Sequence, residues 1–210
     1  MNHTTETTVM FPGKSFKINV VEDVEYLLDL VQTDDDVPFW AVLWPAALGM
    51  AEYFWINADF CGKRVLELGA GLGLVGIVAA AKGAQVVQTD FISDAIKLAE
   101  ENAKMNGISK IEYKLADWRD FPLEEQFDWI IGSDILYEPQ LHPHLEEIFT
   151  VNLKPGGIIT LADPGRDDAK RFIAGFGRDN YNIETVTREV FENGRKVCVS
   201  IYFLRKKPEE

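Results

Sequence analysis

Cysteine is scarce: the 210 residues hold two, Cys61 and Cys198. They lie far apart and form no C-x-x-C pair, which excludes a disulfide framework and a cysteine zinc site. The expectation is buried free thiols in a reducing compartment. Histidine is also rare, with three in the chain. His142 and His144 straddle Pro143, too few ligands for a metal site, so none is expected. No apolar run approaches the ~18–20 residues that cross a bilayer. Residues 1–10 contain no Lys, no Arg and no apolar segment. Neither a membrane association nor a secretory leader is expected, and the reading is cytoplasmic. Basic residues are outnumbered, 21 against 34 acidic, for a net charge of −13. Such a surface repels phosphate backbones, so no nucleic-acid partner is expected. It keeps a protein soluble and would also attract a cationic substrate. A monomer is expected.

What is present is a regular alternation. A small hairpin is expected across Met10–Val21 about the Pro12-Gly13 turn. Apolar residues at 24, 27, 28 and 31 have helical spacing within Glu22–Gln32, and Asp34-Asp35-Asp36 follows as a solvated linker. Residues 1–8 are polar and expected to fray. Pro38 opens a new unit, and Ala46–Trp55 reads as a helix with Pro45 in its first turn. From there strands at 65–68, 85–89, 111–115, 127–133 and 158–162 alternate with helices at 73–81, 92–106, 141–153 and 167–176. Strand–helix repetition of this kind implies a parallel sheet covered on both faces. The end departs from it: Glu184–Phe191 and Lys196–Arg205 flank Asn193-Gly194, a hairpin signal. The division expected is an accessory hairpin and helix over 1–36 and one domain over 37–210.

The most telling segment is Val65–Gly76, where an apolar strand breaks into glycines and enters a helix. Glycines admit a ligand close to the backbone, and the helix start offers unpaired N–H groups. Asp90, ending the next strand, suits a ribose diol. Two fingerprints overlap. Gly69-x-Gly71-x-Gly73 is the spacing of S-adenosylmethionine sites, and Gly71-x-Gly73-x-x-Gly76 satisfies the dinucleotide pattern. Glu67 tilts the balance, because a carboxylate near the loop disfavours a pyrophosphate and favours an ammonium and a sulfonium. Asp117 and Trp118, after the third core strand, could bond the adenine amino group and cover its ring. Alternatively Asp117 caps a helix and Trp118 belongs to the core.

At Pro38–Pro45, Val65–Gly76, Ala116–Trp118 and Gly132–Tyr137 the chain resembles the class I S-adenosylmethionine-dependent methyltransferases. Within them it is similar to the protein-lysine branch called methyltransferase family 16, whose Asp-x-x-Tyr motif matches Asp134–Tyr137. Asp163-Pro164-Gly165-Arg166 is similar to the branch's enzymes for lysines of the electron transfer flavoprotein β subunit. The resemblance implies an α/β, Rossmann-like, seven-stranded, mostly parallel sheet with helices on both faces and a C-terminal antiparallel hairpin. It implies S-adenosyl-L-methionine as cofactor. Gly69, Ala70, Gly71 and Gly73 would cradle it, Glu67 would hold its methionyl end, and Asp90 its ribose. Phe91, Asp117 and Trp118 would surround the adenine, Trp44 would cover the cofactor, and Ser133 would sit at the rim. Asp134 would position the acceptor amine or take its proton, and Tyr137 would line the lysine channel. Against this, Asp134 could cap the next helix and Tyr137 could be packing. Arg166 could face an acidic patch of the substrate or form a surface salt bridge. The partner expected is a protein lysine. A small-molecule amine or ring-nitrogen (nicotinamide-like) methyltransferase and a non-catalytic cofactor-binding module remain alternatives.

Overall fold

Successive residues of a strand face opposite sides of a sheet, and the central strands use this strictly. In β3 (Arg64–Leu68) Val65 packs into one buried apolar cluster, and Leu66 and Leu68 into another on the opposite face. The same alternation runs through Val86 and Val87 and through Trp129 and Ile130. A computed structural model describes residues 4–29, 31, 37–178, 181–192 and 194–207.

The sheet has the order β5-β4-β3-β6-β7-β9-β8. Strands β4 (Gln85–Asp90), β5 (Ile111–Leu115), β6 (Phe127–Ser133) and β7 (Leu153–Asp163) join β3 in parallel. Strand β9 (Arg195–Lys206) pairs antiparallel with both β7 and β8 (Tyr181–Glu192). The expected seven strands and terminal hairpin are present, with Asn193 of its turn outside the described residues. Helices α2 (Pro45–Asn57), α3 (Leu74–Ala81) and α4 (Ser93–Met105) contribute to the first cluster, as Met50, Phe54, Ile77 and Leu98 show. Helices α5 (His142–Asn152) and α6 (Asp167–Arg178) fill the second with Leu145, Phe149, Phe172 and Phe176. Among the described residues no helix is long and apolar enough to cross a membrane.

Four expectations change. Residues 4–8 are not frayed: β1 (Thr4–Phe11) pairs along its whole length with β2 (Lys14–Val21). The hairpin is anchored because Phe16 and Ile18 are fully buried and Asn102 of α4 exchanges hydrogen bonds with the Asn19 backbone. The first helix, α1, is shorter than expected, Val24–Leu28, opened by Asp23 accepting the Tyr26 N–H; the acidic run 34–36 lies outside the described residues. Strand β7 starts at Leu153 rather than Ile158, because Leu153 pairs with Phe127 across a register shift. Gly156, at φ 75°, supplies the backbone freedom that such an irregularity needs. The cysteines differ too: both are exposed. Cys198 faces outward on β9 while its neighbour Val199 takes the buried side.

Candidate functional site

Glycine punctuation opens a cradle at the carboxyl end of β3. Gly73 caps α3 in the left-handed region, φ 81°, and a Cβ there would lie 2.9 Å from the Ala99 Cβ. Side chains other than glycine would meet both a backbone penalty and a steric one. At Gly71 an added Cβ would sit 3.4 Å from the Trp40 carbonyl oxygen, so the segment before α2 lies directly on the loop. The cavity formed there sits where chain order reverses: β3 is followed outward by β4 on one side and flanked by β6 on the other. Ligands of open parallel sheets bind at such a point, beyond the strand carboxyl ends. It is partly open to solvent and is lined by the glycine loop, the strand ends and the aromatic segment before α2, an arrangement that suits a cofactor beside an acceptor side chain.

Twelve of the candidate residues line this one cavity: Trp44, Gly69, Ala70, Gly71, Gly73, Asp90, Phe91, Asp117, Trp118, Ser133, Asp134 and Tyr137. Glu67 does not. On β3 it shares the face of Val65, so its carboxylate runs beneath α3. There it accepts the Gly76 N–H at 3.0 Å and the Gln88 amide at 2.6 Å. Burial raises its pKa to about 7. Its alternation with Leu66 and Leu68 was the available signal that it points into the helix–sheet layer. An added Cβ at Gly76 would overlap Glu67 and Gln88, so this glycine serves helix–sheet packing.

Asp90 is 5% exposed, and both of its oxygens are engaged. Oδ2 accepts the Gly71 N–H and Oδ1 the Ile92 N–H, each at 3.0 Å. Burial raises its pKa, opposed by the Ile92, Gly71 and Phe91 N–H groups. Each carboxylate oxygen keeps a second lone pair for a ligand hydroxyl. Asp117 caps the short turn Trp118–Asp120 through the Arg119 N–H, as the alternative reading had it. The Arg119 guanidinium also holds it, and its pKa is lowered chiefly by that hydrogen bond. Trp118 closes the cradle from that side, near Gly69.

The mouth is aromatic. Trp44 Nε1 donates to the Phe39 carbonyl at 2.7 Å, and the Phe39 ring packs on Trp44 and, at 5.2 Å, on Tyr137. Phe39 carries no catalytic or binding signature of its own in the sequence, where it stands between Pro38 and Trp40. The Tyr137 phenol is pushed up to about 12, mainly by burial, so it stays protonated and keeps its O–H as a donor. Asp134 is the one described non-glycine residue with positive φ, 62°. It caps no helix: its N–H donates to the Ala162 carbonyl and its Oδ1 pairs with Arg166. Oδ2 is buried without a partner. The Arg166 ion pair, 32 positions away in sequence, carries no local signal.

The donor set and the cradle fit S-adenosylmethionine. Asp90 would hold the ribose, and the glycine loop would admit the methionyl part. A family model described as lysine methyltransferase matches residues 24–176. EEF1A lysine methyltransferase 3 of Mus musculus is 32% identical over 79% of this chain and 72% of its own length. Histone-arginine methyltransferase METTL23 of Mus musculus is also 32% identical, over 50% of this chain and 44% of its own. Among solved structures, N-methyltransferase NodS from Bradyrhizobium japonicum WM9, in complex with S-adenosyl-L-homocysteine, superimposes with a TM-score of 0.64 at 18% identity, covering 90% of this chain and 98% of that one. The chain belongs to the lysine methyltransferase family and is an S-adenosylmethionine-dependent methyltransferase.

Proposed function

We propose that this enzyme methylates the ε-amine of a lysine on a protein substrate, with Asp134 and Tyr137 receiving the acceptor. The observation that carries the acceptor site is Asp134, a residue of the cavity wall whose Oδ2 is buried and unpartnered, since a buried oxygen of that kind needs a donor. An acceptor ammonium is such a donor. The bound cofactor supplies a methyl group already activated on a sulfonium, leaving the protein to align the acceptor and exclude water. A lysine amine, with a reference pKa near 10.4, must give up a proton, to the Asp134 carboxylate or through it to solvent, before nitrogen attacks carbon. Entry past Phe39, Trp44 and Tyr137 strips water from it, which favours the neutral form. Asp134 orients the amine, and the protonated Tyr137 hydroxyl fixes the channel wall. Ser133 lies at the rim. Lysine is favoured over arginine by the family description and by the longer match to a lysine enzyme. A protein is favoured over a small amine for the same reasons.

The reading extends to a cytoplasmic monomer with no nucleic-acid partner, supported by the net charge of −13 and the free cysteines. Residues 1–36 are an accessory unit to the catalytic domain in this reading. The test is incubation of a cell lysate with radiolabelled S-adenosylmethionine and the wild-type or Asp134→Asn enzyme. Label is expected in protein, and the variant should transfer at least ~10-fold less, the cost of about one charge-assisted hydrogen bond. Label confined to the low-mass fraction would overturn the protein substrate. Full activity of the variant would overturn the role of Asp134.

A further inference from the structure

Asp163, at the end of β7, is fully buried. Its Oδ1 accepts the N–H groups of Gly165 and Arg166, both at 2.6 Å. Its Oδ2 accepts from the Arg166 guanidinium at 2.9 Å. The loop 163–166 is thereby folded back on its own carboxylate, and the arginine leaves it in one direction only. The same nitrogen, Nη1, reaches across to Asp134 Oδ1 at the end of β6. Two carboxylates on neighbouring strand ends therefore share one guanidinium. Asp163 has both oxygens engaged, whereas Asp134 has one engaged and one bare.

We propose that Arg166, anchored by Asp163, is a positioning residue that occupies one oxygen of Asp134 and leaves the other aimed at the acceptor cation. This rests on the acceptor role given to Asp134 above. The cluster of two carboxylates and one guanidinium carries one negative charge, and an incoming ammonium neutralises it. A rotating Asp134 would present either oxygen and lose part of its alignment. The left-handed backbone at Asp134 is sustained by the same network, since such a conformation persists only where its surroundings over-determine it.

Arg166 also controls the charge of Asp134. Burial raises the Asp134 pKa, the Arg166 hydrogen bond and charge lower it, and Asp163 and Glu192 raise it. Asp134 in turn is one of the acids that help to raise the Tyr137 phenol, after burial. Without the guanidinium, burial and the two acids act unopposed, and Asp134 titrates at higher pH.

The test follows the Asp134 carboxyl by carbon NMR titration in the full chain, with Asp134→Asn identifying the signal. It is run on wild type, Arg166→Gln and Arg166→Lys, alongside methyl transfer into lysate protein across pH. Arg166→Gln should raise the Asp134 titration by about a unit or more. Its transfer should fall most at low pH and recover as pH rises. Arg166→Lys should restore much of both, and all three forms should bind S-adenosylmethionine within about twofold of one another, too small a difference to mark a lost contact. An Asp134 titration unmoved by Arg166→Gln, or a loss of transfer equal at every pH, would overturn the proposal. If the titration moves but Asp134→Asn transfers normally, the acceptor role of Asp134 fails and Arg166 stands as its counterion only.

Discussion

The Asp90 carboxylate accepts N–H groups from both walls of the cradle, Gly71 on one side and Ile92 on the other. It therefore shapes the glycine loop as well as presenting lone pairs to a ribose. Asp90→Ala removes both functions at once. Charge-assisted hydrogen bonds contribute about 1.5–3 kcal/mol each, so S-adenosylmethionine should bind roughly 10- to 100-fold more weakly by titration calorimetry. An affinity within twofold of wild type would show that the diol is held elsewhere. Asp134 presents the opposite case. Its neighbour Ser133 ends β6 as ordinary strand, and the next residue switches to a left-handed backbone, with its carboxylate on Arg166. Aspartate tolerates this conformation better than most residues.

At the scale of elements, the helix–sheet layer around Glu67 determines how the cradle is supported. Glu67 on β3 and Gln88 on β4 are paired in register, and both reach α3 just past the loop. Gln88 also donates to the Gly73 carbonyl at 2.8 Å. One buried acid thus braces the loop from below without entering the cavity. Burial lifts its pKa from the ordinary 4.5 to about 7, so across that range the folded protein holds a proton that the unfolded chain releases. The stabilisation is fully present below about 4.5 and is lost as pH rises through about 7, a total of ~3 kcal/mol. Glu67→Gln imitates the protonated form. Denaturant unfolding should show the variant gaining on wild type by about that amount between about pH 5 and pH 8. A gap that is the same at both pH values would mean that Glu67 is ionised throughout.

The centre of the sheet was readable because β3, β4 and β6 carry short apolar runs, and the cradle because few settings other than a close-approaching ligand call for glycines at 69, 71 and 73. Directions were harder. Glu67 was assigned to the ligand because it neighbours the loop in sequence, whereas alternation with Leu66 and Leu68 turns it under α3. Residues 4–8 were set aside as polar, yet threonines suit a paired strand once Phe16 and Ile18 have an apolar surface to cover. Cys61 and Cys198 were assigned to the core on composition alone, and only the pairing of β9 reveals which side Cys198 takes. The pairing of Asp134 with Arg166 depends on β6 and β7 lying side by side, a long-range fact with no local trace.

For the molecule as a whole, a parallel sheet with a reversal of chain order at β3 and β6 supplies the crevice. The segment around Trp40 covers its glycine loop, and the apolar clusters on both faces hold the strand ends in place. The β1–β2 hairpin shares the first cluster with α2, α3 and α4; it buries the flank of the domain and stands apart from the cavity residues. The net charge of −13 gives a field that favours a cationic acceptor over an anionic one. The chemistry of that acceptor is read by amino-acid analysis of acid-hydrolysed protein labelled by the enzyme with radiolabelled S-adenosylmethionine. Label is expected in methyllysine. Label in methylarginine, or none in protein, would contradict a lysine acceptor.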